Sequence, residues 1–157
     1  MKWILALLVL ASGVAQAKEL SSRLGIGYRN AYSINLPSVA TVYYPSSNWV
    51  LVGALGVDTK DQNSSFVFSG GLRKIIFMED NMNFFMGGQL SILSQQTSVR
   101  TNSGFEIGAL AGGEFFLQGL ENLGFNFETG IAVSNLDTVR FRTMGDSFLA
   151  AGIIFYF

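Results

Sequence analysis

The 157 residues include no histidine and no cysteine. Without cysteine there is no disulfide, no thiolate metal site and no Cys to carry an N-terminal lipid. Without histidine, the usual base that activates a serine nucleophile is missing. Proline occurs twice, and charged residues make up only 13% of the chain. Long apolar runs are scarce too. After residue 17 none approaches the roughly 20 residues of a membrane-crossing helix; "WVLVGALGV", Trp49 to Val57, is nine long. A basic excess is also lacking. With Lys2 set aside in the leader described below, nine Lys and Arg face eleven Asp and Glu. A formal charge near −2 is no footprint for a nucleic-acid binder.

What is present begins with "MKWILALLVLASGVAQA": a basic start at Lys2, an apolar stretch from Trp3 to Val14, and the triplet Ala15-Gln16-Ala17. That order reads as a cleavable secretory signal peptide, residues 1–17, cut after Ala17. The mature chain, 18–157, has 140 residues, enough for one domain. Its 14 Phe and 18 Gly are unusual for a secreted soluble protein, because one small core does not absorb that much apolar surface.

Gly, Phe, Val, Ser and Thr dominate the mature chain, and Lys/Glu-rich helical stretches are missing, so strands are expected. Eight fit, near 20–30, 38–45, 49–58, 65–77, 82–94, 104–116, 123–134 and 145–157. "PSSN" (45–48), "MEDN" (78–81) and "QGLEN" (118–122) are short and carry turn residues. The connections near 31–37, 59–64, 95–103 and 135–144 are mostly longer and polar. Tight turns on one side and looser loops on the other predict an all-β fold, an eight-stranded antiparallel up-and-down transmembrane β-barrel.

The strands alternate with period two. Phe66, Phe68, Gly70 and Leu72 share one face of their strand, while Val67, Ser69, Gly71 and Arg73 share the other. At 123–134, Leu123, Phe125, Phe127, Ile131 and Val133 alternate with Gly124, Asn126, Glu128, Gly130 and Ser134. A soluble β-sandwich or lipocalin-like barrel would alternate as well, but with its many charges on the outer, watered face. Here the non-apolar face is small residues with about one charge per strand, which suits the narrow interior of an eight-stranded barrel. The same alternation predicts a lumen set of Arg23, Arg29, Arg73, Gln89, Glu106, Glu114, Asn126 and Glu128. Three arginines face three glutamates, and buried charges are tolerable only when paired. An internal salt-bridge network is therefore expected, with Arg23–Glu114 as its first pair; the alternative is charges near the two ends snorkelling separately into water.

The chain ends in "SFLAAGIIFYF", where Leu149, Ala151, Ile153, Phe155 and Phe157 share one face. Facing lipid, that strand would stop at a membrane interface, where aromatics are favoured, and its edge would pair with the first strand to close the barrel. With the signal peptide and eight strand-sized segments, this end resembles the small OmpA/OmpX-type outer-membrane barrels of Gram-negative bacteria. The resemblance implies that those five positions form the signal read by the barrel-assembly machinery. It also implies an outer-membrane location, outer-membrane lipid and lipopolysaccharide as surroundings, and a monomer. One departure is that Phe148, Ile154 and Tyr156, on the expected lumen face, are apolar too.

Chemistry beyond this is thin. Some barrels of this size modify lipopolysaccharide or phospholipid acyl chains, but they rely on a histidine base; Asp137 and Asp146-Ser147 read as loop residues. Asp58 and Asp61 lack the spacing of a calcium loop. "GIGYRN" has no helix after it, and "GALAGG" has the wrong period for helix packing. No metal, cofactor or nucleic acid is expected. The expected role is that of a non-enzymatic envelope-structural protein or surface-exposed receptor, with a narrow pore and a lipid-modifying enzyme as alternatives. Lys60, Arg100, Arg140 and Arg142, placed in the outer loops, could contact lipopolysaccharide phosphates, and ordinary loop solubility explains them as well.

Overall fold

The computed structural model describes residues 20–32, 34–143 and 150–157. The expected signal peptide, Asp146, Ser147, Phe148 and Leu149 lie outside them. Nine strands are described: β1 Leu24–Asn30, β2 Pro37–Ser46, β3 Trp49–Asp58, β4 Ser65–Glu79, β5 Met82–Thr97, β6 Arg100–Phe116, β7 Leu123–Asn135, β8 Val139–Thr143 and β9 Ala150–Tyr156. Each pairs antiparallel with its neighbour, and β9 pairs with β1, so the sheet closes on itself. Strands β8 and β9 share one place in the ring. β7 holds β8 along Ile131–Asn135 and β9 along Leu123–Glu128. The result is an eight-stranded antiparallel barrel.

The eighth position departs from the expected single strand at 145–157. Between the pairs Ile131↔Thr143 and Glu128↔Ala150, β7 advances three residues and its partner seven, leaving four extra. "VRFRT", whose charges predict a loop, is β8. A row of ladder partners runs from Ile154 through Gly27, Ala40, Ala54, Ser69, Ser91, Glu106 and Ser134 to Arg140. It returns to the eighth position fourteen residues from its start, or ten once the four extra are removed. That stagger is the steep tilt a small closed barrel needs.

Two more boundaries differ from expectation. The polar segment 95–103 is not a loop: β5 and β6 stay in register to Thr97↔Arg100, closing on Ser98 and Val99 alone. Ser94 and Ser103 share a cross-strand hydrogen bond at 3.1 Å, and Thr97 donates to the Arg100 carbonyl at 3.0 Å. Polar residues here extend a ladder beyond the apolar wall instead of ending it. At the other end, β1 starts at Leu24 and not near residue 20, and Leu20 turns inward into the core.

Among the described residues, the inside holds two apolar clusters. Near the turn end Leu20, Val50, Ile75, Phe85, Phe116, Ile154 and Tyr156 pack together, and at the loop end Ile34, Leu36, Val67 and Leu93 form a second cluster. The outside carries the opposite pattern. Ile26, Leu51, Leu55, Phe68, Leu72, Met86, Leu90, Ile107, Ile131 and Ile153 are all exposed. Outward charges among the described residues lie toward the rims; Lys74 sits opposite Trp49 in the ladder, its ammonium 5.9 Å from the indole centroid.

Candidate functional site in the lumen

Period-two alternation delivers one inward side chain per strand at each level, so charges far apart in the chain meet across the bore. Arg29 from β1, Arg73 from β4 and Glu128 from β7 are at most 5% exposed. Glu128 Oε2 accepts from Arg29 at 3.0 Å, and its other oxygen accepts from Arg73. One carboxylate thus joins two guanidinium groups from strands three places apart in the ring. Each arginine is also stacked: Arg29 lies 4.8 Å from the Tyr32 ring centroid and Arg73 4.5 Å from that of Phe85, a contact worth most where water is excluded. Arg29 further donates to the Tyr32 hydroxyl.

Glu106, buried on β6, has Arg142 of β8 as its ion partner, at 4.0 Å. Arg142 donates to the Tyr32 carbonyl at 2.5 Å. Below, Glu114 is bound differently. It accepts from the Tyr44 hydroxyl at 2.7 Å and from the Tyr156 hydroxyl at 2.6 Å, the two rings meeting edge to face at 5.9 Å. Space for this is made by Gly124, where a Cβ would lie 2.6 Å from Glu114 Oε1 and 3.0 Å from the Tyr156 ring.

Of the residues expected in the lumen, Arg29, Arg73, Gln89, Glu106, Glu114, Asn126 and Glu128 are buried there. Arg29, Arg73 and Glu128 come together as one network. The expected Arg23–Glu114 pair does not form. Arg23 precedes β1, outside the ladder whose alternation would have aimed it inward, and it donates to Asn122 in an exposed turn at 3.1 Å. Glu114 is satisfied by tyrosines instead. Arg142, expected in an outer loop, points into the lumen. Sequence reasoning misses Tyr32, Tyr44 and Tyr156 as ligands of charge. For Tyr44 a signal exists, since it shares parity with Ala40 and Val42, which face in. The apolar lumen face of the last strand has the same explanation: Ile154 and Tyr156 are core.

In that last strand Ala151, Ile153, Phe155 and Phe157 point outward, and the Phe157 amide donates to the Leu24 carbonyl at 3.0 Å. Among the described residues no group of three or more His, Cys, Asp or Glu side chains is placed to hold a metal ion. No family model, curated protein or solved structure matches the chain.

Proposed function

We propose that this chain is a non-enzymatic, integral outer-membrane β-barrel protein, with a role in envelope structure or as a surface receptor and a lumen blocked by its own side chains. The observation that carries the reading is the inversion of the usual surface: a continuous apolar outer wall around an interior that holds the charges. A soluble monomer rarely exposes more than a few hundred Å² of contiguous apolar surface. In a bilayer the same wall is the correct one, and a closed barrel leaves no unpaired edge in contact with lipid. Aromatic side chains gather toward both ends of the wall, with Tyr43, Trp49, Phe77, Phe155 and Phe157 at the turn end and Tyr28, Phe66, Phe105 and Phe141 toward the loops, as membrane interfaces favour. Phe115 and Phe125 stack at 5.3 Å in the same turn-end girdle.

The side chains that the described residues place in the lumen argue against the pore alternative, and the absence of histidine against the lipid-modifying enzyme. Exposed Lys60, Arg100 and Arg140 at the loop end are available to lipopolysaccharide phosphates; Arg100 also meets Asp137 at 3.5 Å. Membrane fractionation followed by SDS gels with and without boiling tests the reading. A membrane-bound band whose mobility changes on heating is expected. Protein that stays folded and dissolved without detergent overturns it. Planar-bilayer recording should show no steady single-channel events, and lipid A should have the same mass with and without the protein.

A further inference from the structure

At the loop end, the β1–β2 connection behaves unlike its neighbours. Residues 59–63 and the tip Ser98-Val99 are exposed, whereas Tyr32, Ile34 and Leu36 turn inward, Tyr32 to 2% exposure. Ile34 and Leu36 sit on Val67 and Leu93 of the barrel wall. Two wall arginines grip the same residue: Arg29 binds the Tyr32 hydroxyl and Arg142 its carbonyl, the latter at 2.5 Å. Tyr32 is thus held at both ends, from β1 and from β8.

The grip leaves a group unsatisfied. Glu106 Oε2 is buried with no hydrogen bond from the described residues, and Arg142 Nη2 is 4.0 Å away, too far for one. A buried carboxylate oxygen in that condition is costly. If Tyr32 left, its carbonyl and hydroxyl would be satisfied by water, and Arg142 would need to move only about an ångström to bond Glu106. The held arrangement keeps Ile34 and Leu36 packed on Val67 and Leu93 and leaves Glu106 Oε2 open; the released one would satisfy Glu106 and give up that packing, two discrete arrangements of one element.

We propose that Tyr32, Ile34 and Leu36 form a releasable plug, latched by Arg142, which passes from the Tyr32 carbonyl to Glu106 when the plug swings out. The opened lumen is a blind cup and not a channel. Its floor is the Arg29–Glu128–Arg73 network, and beneath it the layer of Glu114, Tyr44 and Tyr156 stays shut.

The cysteine-free chain makes the test direct. Ile34→Cys places a thiol on the plug, and Ser98→Cys on the exposed tip supplies the reference; a bulky hydrophilic maleimide is followed on detergent-folded protein. The plug thiol should react roughly tenfold more slowly than the tip thiol, because it is reached only through local opening. Adding Arg142→Gln should raise the plug-thiol rate about tenfold, and Tyr32→Phe, which removes the Arg29 bond without altering any charge, about threefold. Adding Glu106→Gln should lower it, because the released arginine loses its destination. This opposite sign separates a latch from general loosening. Heat-modified mobility confirms folding of each variant, and Arg142→Lys, expected to give an intermediate rate, replaces Arg142→Gln if the latter does not fold. The proposal is overturned if the plug and tip thiols react alike with Arg142 in place, if the Arg142 variants leave the plug rate unchanged, or if the Glu106 and Arg142 variants shift it in the same direction. None of these readouts depends on where in the envelope the barrel resides.

Discussion

Arg29 reaches Glu128 over the intervening β9 at 3.0 Å, linking strands whose contacting residues are 99 positions apart in the chain. Because Glu128 also takes the Arg73 guanidinium, its removal strands two buried positive charges at once. Glu128→Gln should cost about 3–5 kcal/mol, the range for breaking a buried pair, read from urea unfolding in lipid vesicles. Arg23→Gln, at the exposed turn, should stay within about 0.5 kcal/mol of wild type.

Glu114 offers a separate test, because its partners are hydroxyls. Tyr156→Phe keeps the ring and deletes one donor to a buried carboxylate, so a loss of about 1.5–3 kcal/mol is expected. Tyr44→Phe should behave alike. The double variant should lose more than the two single losses added together, since the first removal leaves one donor and the second leaves none. Strict additivity would show that the two hydroxyls do not share one acceptor.

Gly124 and Gly70 form a matched pair of glycines. A Cβ on Gly124 would meet Glu114 at 2.6 Å, whereas one on Gly70 meets nothing within 4 Å. Gly124→Ala should destabilise by about 1–3 kcal/mol through overpacking, and Gly70→Ala should be near neutral. The same unfolding titration reads both.

Lipid around the wall has its own signature. Leu90, 59% exposed on β5, should tolerate Arg in water but cost about 2–4 kcal/mol near a bilayer midplane. Leu90→Arg compared with Val99→Arg, at the hairpin tip, measures the difference. Equal stability for the two would contradict a membrane-facing wall.

Much of this arrangement is legible in the residues. The alternation of Phe66, Phe68 and Leu72 with Val67, Ser69 and Arg73 reports which face is inside because a strand has only two faces. It places Arg29, Arg73, Glu106, Glu114 and Glu128 in the lumen without any knowledge of the sheet order. It does not say which charges touch, since contact across the bore depends on stagger, and stagger is set by pairings that no local pattern encodes. Two of the misplaced boundaries share one cause. Segments 95–103 and 139–143 are polar or charged, which suggests loop; apart from the Ser98-Val99 tip both are strand, because ladder hydrogen bonds do not require apolar side chains. Tyr32 is invisible for the reverse reason. It lies in a connection, and nothing in "NAYSINL" announces that the segment folds inward onto two arginines.

The seam between β1 and β9 has a kinetic consequence. Gly27 and Ile154, partners in that ladder, are 127 positions apart, so the ring gains its final hydrogen bonds only after every other strand is in line. Until then two edges lie open, each able to recruit a stranger. High contact order of this kind makes closure slow, and a chain that waits with bare edges needs either a guide or a surface that keeps other chains away.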